Sequence, residues 1–188
     1  MEKVKIGPNG FLYPMPMVIV GADVEGRANF MAVAWVTRTN YAPPRIGIAL
    51  GKMHHTNAGI REHQEFSVNV PHEGLRVVTD HVGLATGARI DKSGLFTVVR
   101  GRLAHAPMVA ECPLTMECRV VQTVDQPSNE FFIGEIVETH CDPECLADGK
   151  PDIARIRPFT LTMPDNRYWA VGAQVGKAWS DGRGFRKE

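Results

Sequence analysis

Apolar and polar residues alternate in several short runs along the first 70 residues of the chain. The runs are rich in β-branched and aromatic residues, and turn-forming residues separate them: MVIVGA (17–22), FMAVAWV (30–36), RIGIAL (45–50) and FSVNV (66–70). Side chains of a β-strand point alternately to its two faces, so a strand with one buried face repeats every two residues. The pattern predicts four strands in this part of the chain.

The second half contains a longer pair of predicted strands. MECRVVQTV (116–124) and EFFIGEIVETH (130–140) flank a Pro, Ser and Asn, which are typical of a hairpin loop. Two segments have a helical pattern, HTNAGIREHQ (55–64) and HEGLRVVTDHVGLATG (72–87), and the second is predicted to end at Gly87. Because the helices do not alternate regularly with the strands, the pattern favours a mainly β fold: a small antiparallel barrel with peripheral helices.

Length and composition indicate one globular domain that covers residues 1–188. Apolar residues make up 44% of the chain and charged residues 22%, and Lys plus Arg equals Asp plus Glu at 21 each. This balance gives no general attraction to nucleic acid or to an anionic membrane. No apolar run approaches the roughly 20 residues of a membrane span, and the first residues, MEKVKIGPNGF, lack the apolar core of a signal peptide. We therefore expect a cytoplasmic protein without a nucleic-acid or membrane partner.

Four cysteines suggest buried thiols rather than a disulfide framework. The pairs Cys112/Cys118 and Cys141/Cys145, the second beside His140, leave open a zinc or redox site, although the CxxC spacing of common zinc sites is missing. CDPECLADGKPD (141–152) is polar and rich in turn-forming residues, and it is predicted to be a long surface loop.

Small side chains in the predicted strand 30–36 suggest a binding site. Ala32 and Ala34 share one face with Phe30, while Trp35 lies on the other. Small side chains let a flat aromatic ligand lie against the backbone, whose N–H and C=O groups can bind ring heteroatoms. The alternative is that these alanines and Trp35 simply fill a core.

Two further segments have the residues of an anion site. GKMHHTN (51–57) places Lys52, His55 and Thr56 at a strand-to-helix junction, where free N–H groups favour anions; the alternative role for Thr56 is helix capping. TGARIDKSG (86–94) is a polar turn with Arg89 and Lys92, and it fits either a second side of a phosphate pocket or a solvated loop.

The order and spacing of these motifs resemble the flavin reductase-like, FMN-binding split-barrel family, and within it the flavoredoxins. The resemblance runs from about residue 14 to residue 176 and rests on a set of short motifs: Gly26, Asn29, Trp35, Pro43–Pro44, Thr56, FSVN (66–69), Thr86–Gly87, Asp91–Lys92, APMVAECPLTMEC (106–118), FIGEIVE (132–138), DGKPD (148–152) and RYWAVGAQVG (167–176). The family implies a six-stranded antiparallel Greek-key barrel, a homodimer, and one FMN per subunit near the dimer interface.

The resemblance also implies the residues that contact FMN. Asn29 and Trp35 would flank the isoalloxazine and ribityl region, and Thr56 and Lys92 would hold the phosphate. The remaining contacts that the family implies come from the backbone of Met31, Ala32, Val33 and Ala34, from Lys52 and His55, and from Tyr168, in its own subunit or in the neighbouring one.

The family's chemistry is transfer of electrons or hydride through FMN, so no catalytic protein residue and no metal are expected. The electron donor that the family implies is a nicotinamide cofactor or a redox protein.

This chain departs from the family at two positions. The histidine that relatives often place before the FIGE strand is replaced here by Asn129, and a cysteine-glycine pair of many relatives is absent from VGLATG (82–87). The alternative function is a non-catalytic FMN-binding protein for storage or sensing. The remaining histidines, His54 among them, are assigned to the surface or to packing.

Overall fold

The computed structural model describes residues 3–186. In chain order the strands are β1 (Met15–Pro16), β2 (Val18–Val24), β3 (Arg27–Val33), β4 (Val36–Asn40), β5 (Arg45–Gly51), β6 (Glu65–Val70), β7 (Val98–Val99), β8 (Met108–Val109), β9 (Leu114–Asp125), β10 (Asn129–Cys141), β11 (Leu146–Ala147), β12 (Lys150–Pro151), β13 (Phe159–Thr162) and β14 (Arg167–Ala170). The helices are α1 (Thr56–His63), α2 (Arg76–Leu84) and α3 (Ile153–Ile156), and single 3₁₀ turns cover Glu73–Leu75, Ser93–Leu95 and Pro143–Cys145. Across residues 3–186, no helix combines the length and the apolar character needed to cross a membrane.

Seven strands form one antiparallel sheet in the order β3-β2-β6-β9-β10-β5-β4. The two edge strands, β3 and β4, are consecutive in the chain, and only Ala34 and Trp35 join them. Three peptide steps of about 3.8 Å each separate the ends of these strands, so the two edges of the sheet must approach each other. The sheet therefore curls into a barrel. This confirms the prediction of a mainly β, antiparallel barrel with peripheral helices.

The run 30–36 is not the single strand that its alternation predicts. Up to the end of β3 the alternation is correct, because Met31 lies in the barrel core and Phe30 in a second cluster outside the barrel. In an uninterrupted strand Val36 would share a face with Phe30, but it packs against the barrel core instead. Val36 changes face because Ala34 and Trp35 interrupt the strand. The interruption also divides the run into β3 and β4, so the sheet has seven strands where six were predicted.

Two apolar clusters stabilise the fold. The first fills the barrel, and its fully buried members include Val20, Ile48, Ile60, Phe66 and Phe132. The second lies between the outer surface of the barrel and helix α2, and comprises Ile19, Ala28, Phe30, Val82, Phe96, Val109 and Cys112. Strand β3 contributes to both clusters, so its position is fixed from two sides.

Helix α1 occupies the predicted position, whereas the second predicted helix is shorter. A 3₁₀ turn precedes α2, with the His72 side chain accepting a hydrogen bond from the N–H of Gly74. Helix α2 ends before Ala85, whose backbone is extended, and not at Gly87. The segment from 85 to 92 is thereby free to pack against β3.

The segment predicted as a loop, residues 141–152, contains the Pro143–Cys145 turn and the short hairpin β11–β12. The four cysteines are free, and three of them are buried. Burial raises the pKa of the Cys112 and Cys118 thiols far above the usual range, as expected for cysteines that pack as small apolar residues. Residues 3–186 contain no group of three His, Cys, Asp or Glu side chains that could hold a metal ion.

Candidate functional site

Two cavities lie along strand β3. The first, here called the strand-end cavity, has a volume of about 360 Å³ and is lined by Met31, Ala32, Val33, Ala34, Trp35, Ala49, Leu50, Gly51, His54, Asn129 and Met163. The second, here called the loop cavity, has a volume of about 350 Å³ and is lined by Val24, Glu25, Arg27, Ala28, Asn29, His55, Gly87, Ala88, Arg89, Ile90, Asp91 and Lys92. The first contains the predicted ring-contacting segment, and the second most of the predicted anion-binding residues.

Asn29, which lines the loop cavity, contacts Thr56 of helix α1. The Asn29 side-chain N–H donates to the Thr56 hydroxyl at 2.8 Å, and both residues are buried. Thr56 is the first residue of α1 but does not cap it, because the N–H groups of Asn57 and Ala58 donate to backbone carbonyls. Since the hydroxyl accepts from Asn29, its own hydrogen remains free to bind another acceptor.

The loop from 85 to 92 packs closely against this pair. A Cβ at Gly87 would lie 2.1 Å from the Asn29 side-chain oxygen and 2.9 Å from the His55 ring, so only glycine fits there. This contact brings Asn29, His55 and Lys92, predicted from three separate motifs, to one cavity.

Lys92 is not on a solvated loop. Only 4% of the residue is exposed, and its ammonium donates to the carbonyls of Phe30 and Val82, both at 2.9 Å. These bonds tie the loop to β3 and α2. An ammonium has three N–H donors, so one remains for an acceptor in the loop cavity. Burial lowers the pKa of Lys92 to about 8.

Lys92 should therefore make stability depend on alkaline pH. Its pKa is about 8 when folded and 10.5 in its ordinary state, so between these values the unfolded chain holds a proton that the folded chain has released. The free energy of unfolding then rises with pH across this window. Lys92→Met lacks this titrating group. We therefore expect the free energy of unfolding of the parent, minus that of Lys92→Met, to increase by roughly 1 kcal/mol per pH unit between about pH 8 and pH 10. Urea unfolding of both proteins at several pH values measures this difference, and a difference independent of pH would contradict the burial of the ammonium.

Two predicted site residues are held elsewhere in this chain. Lys52 pairs with Asp125 at 2.5 Å, at the turn end of the β9–β10 hairpin, and does not line either cavity. The Tyr168 hydroxyl donates to Asp80 of α2 at 2.7 Å, and neither cavity includes Tyr168. Burial, together with the Asp80 carboxylate, raises the pKa of Tyr168 to about 12. Of the predicted site residues, Lys52, Tyr168 and Thr56 line neither cavity, although Thr56 contacts Asn29, which lines the loop cavity.

The sequence interpretation missed part of the strand-end cavity. His54, assigned to the surface or to packing, lines it, and partial burial and then the charge of Lys92 lower the His54 pKa. Ala49 and Gly51 form the opposite wall, and Asn129 pairs with Gly51 across β5 and β10. The sequence did contain a signal for this wall of the cavity. Small residues occupy every second position of β5, at Gly47, Ala49 and Gly51, and such a face of a strand leaves space for a ligand.

Comparison with known proteins identifies the class of protein to which this barrel and its cavities belong. A family model described as "Flavin reductase like domain" matches residues 11–163. The chain is similar over 97% of its length to flavoredoxin from Methanosarcina acetivorans, with 49% identity, 98% of that chain covered and a TM-score of 0.96. Flavoredoxin of Desulfovibrio vulgaris (Miyazaki F) is 32% identical, with 97% and 100% coverage and a TM-score of 0.91. An FMN-binding protein from Thermus thermophilus shares the fold at 20% identity, with 94% and 98% coverage and a TM-score of 0.78.

The chain belongs to the flavin reductase-like family of flavin-binding proteins. Its structure resembles the flavoredoxins most among these three, which agrees with the resemblance of its sequence motifs.

Proposed function

We propose that the protein binds FMN along β3 and transfers electrons or hydride through it. The observation that carries this proposal is the pair of cavities on one strand, the strand-end cavity along residues 31–34 and the loop cavity beside the buried Asn29–Thr56 contact. Each volume lies within the range typical of small-molecule sites. The strand-end cavity suits a flat ring system, and the loop cavity suits a phosphate.

The donors of the loop cavity fit a phosphate group. Lys92, which retains one N–H, and Arg89, with an exposed guanidinium, line the cavity. Thr56 contacts the lining residue Asn29 and retains its hydroxyl hydrogen. Glu25 and Asp91 line the same cavity, but among residues 3–186 no carboxylate forms an ion pair with the buried Lys92 ammonium, and a phosphate would compensate its charge. We assign phosphate binding to Lys92 and Thr56, with Arg89 as an additional cation.

The strand-end cavity supplies the contacts that a flavin ring needs. Backbone groups from Met31 to Ala34 border it, Trp35 offers an aromatic face, and His55 and Asn29 lie toward the loop cavity. When bound, FMN supplies reversible hydride and one-electron transfer. The protein's part is to orient the ring and to limit the access of water. We propose no ligand contact for Lys52, nor for Tyr168 within its own chain, because both are held elsewhere.

Asn129 is compatible with a second function, FMN binding for storage or sensing. It lines the strand-end cavity at the position where relatives often have a histidine, and its side-chain oxygen accepts from Ser128. An FMN-binding storage or sensor protein needs no donor site there. Anaerobic titration with NADH, NADPH and a reduced ferredoxin, followed by flavin absorbance, separates the two functions. Rapid bleaching by one donor supports the oxidoreductase, and no bleaching by any of them contradicts it.

FMN should bind more tightly than riboflavin, which lacks the phosphate. A charge-assisted hydrogen bond contributes about 1.5 to 3 kcal/mol, so we expect a dissociation constant roughly tenfold to a hundredfold lower for FMN. Calorimetric titration of the flavin-free protein with each ligand, in the same buffer, measures the ratio. Equal affinities would contradict a phosphate site in the loop cavity.

We also propose that the protein is a homodimer in the cytoplasm. The strand-end cavity is open on the side of the half-exposed Trp35, which leaves a large aromatic residue in contact with water. Covering such a surface with a second copy is the common solution in symmetric oligomers.

A further inference from the structure

Among the described residues that line the strand-end cavity, His54 alone titrates near neutral pH. The other lining residues are uncharged: Met31, Ala32, Val33, Ala34, Trp35, Ala49, Leu50, Gly51, Asn129 and Met163. A change of charge on a ligand in this cavity therefore acts on His54 more than on any other group of the wall.

The backbone fixes the position of His54, but its imidazole ring is free to exchange a proton. The backbone N–H of His54 donates to the Gly51 carbonyl at 3.0 Å, within the turn that joins β5 to α1. The ring lies against Gly51, where a Cβ would be 3.2 Å from its Cδ2 and 3.3 Å from its Nε2. Within residues 3–186 the ring has no hydrogen-bond partner, in contrast to the rings of His72, His105 and His140.

Reduction of a flavin in this cavity brings a negative charge close to His54. Oxidised FMN that takes up two electrons and one proton carries one additional negative charge on its ring. A ring that fills a cavity of about 360 Å³ lies within roughly 4 to 6 Å of the wall, where an opposite charge favours a protonated histidine. Without that charge, partial burial and then the charge of Lys92 hold the pKa of His54 below its ordinary value of 6.5.

We propose that His54 takes up a proton when the flavin ring is reduced, and that it thereby links the redox potential of the flavin to pH. This inference rests on the proposed FMN site and adds a residue that responds to its redox state. The electron donor supplies two electrons and one proton to the ring, as a hydride or as electrons with a proton from water. Water supplies the second proton, which binds to the imidazole, and reoxidation returns it to water.

The other charged or titratable groups on the elements around His54 have a different role. They are in ion pairs or line the loop cavity: Lys52 with Asp125, Glu130 with Arg61, and His55 and Lys92 beside the proposed phosphate. An ion pair stabilises the charges that it already contains, and the phosphate compensates the loop cavity. His54 is therefore the group that can change its charge together with the ring.

The redox potential of the bound flavin, measured against pH, tests the proposal. A nearby opposite charge should raise the proton affinity of His54 at least about tenfold, which corresponds to about 30 mV in a two-electron couple. As the pH falls to about 5.5, we expect the potential of the parent to exceed that of His54→Gln by about 30 mV or more. At about pH 9.5 the two potentials should be equal, because His54 is then neutral in both redox states.

Two further variants separate the charge of the side chain from its shape. His54→Lys keeps a positive charge up to about pH 10, so its potential at pH 9.5 should exceed that of the parent. A merely structural role for His54 does not predict this result. His81→Gln is the matched control, because His81 is exposed on α2 and lines neither cavity, and its potential should follow that of the parent at every pH.

NMR of protein with labelled histidines follows the proton directly. The His54 resonance, identified by its loss in His54→Gln, should titrate at a higher pH in the reduced protein than in the oxidised protein. FMN binding is measured separately by absorbance. A parent that binds no FMN would overturn both the proposed function and the role of His54. A parent that binds FMN would overturn the role of His54 alone if its potential has the pH dependence of His54→Gln, or if the His54 resonance titrates identically in both redox states.

Discussion

Lys92→Met is expected to raise the dissociation constant for FMN roughly tenfold to a hundredfold, because it removes a charge-assisted contact of about 1.5 to 3 kcal/mol. Methionine retains a similar length and apolar stem, so the variant isolates the loss of the ammonium. Lys52→Met is the matched control. Lys52 pairs with Asp125 outside both cavities, and its substitution should change FMN affinity by less than about twofold.

The structure corrects one part of the expectation for Lys92. On a solvated loop its loss would leave folding unaffected, but Lys92 is buried and donates to the carbonyls of Phe30 and Val82. Removing these bonds disturbs the attachment of the loop to β3 and α2. FMN titration must therefore be accompanied by unfolding of the flavin-free variants, so that weaker binding is not confused with partial unfolding. A folded Lys92→Met protein that binds FMN as tightly as the parent would refute the phosphate assignment.

Gly59→Ala should destabilise the fold by about 2 kcal/mol or more, although alanine is the better helix former by about 1 kcal/mol. Gly59 lies where α1 packs against β2, and a Cβ there would be 1.9 Å from the backbone carbonyl oxygen of Asp23. Backbone cannot rotate away as a side chain can, so the helix must move outward. Because α1 begins at Thr56, the same movement should weaken the Asn29–Thr56 contact and FMN binding.

Gly94→Ala is the control for this experiment. No atom lies within 4 Å of a Cβ at Gly94, and its backbone is in a region open to other residues. We expect a change of less than about 0.5 kcal/mol in the free energy of unfolding. Chemical denaturation of the three proteins measures both effects. Greater stability for Gly59→Ala would show that α1 does not pack as closely on β2 as described.

The sequence alone was sufficient for most of the regular structure. Period-two alternation located strands β2, β5 and β6 to within a few residues, and the long hairpin β9–β10 was evident from two apolar runs around a Pro-Ser-Asn loop. Helix α1 was likewise predicted almost to its ends. These features depend on residues close in the chain, whose pattern reports directly which face is buried. The ordered motifs were also enough to indicate the flavin reductase-like family.

Only the tertiary structure decided how the functional side chains are used. The sequence placed Lys92, Lys52 and Tyr168 together among the predicted site residues, yet each has a different partner far along the chain. Long flexible side chains can reach several partners, and the partner chosen depends on which strands and helices become neighbours. The interruption at Ala34–Trp35 is of the same kind, because it follows from joining the two edges of the barrel. Local pattern determined the elements of this protein, and the closing of the barrel determined its site.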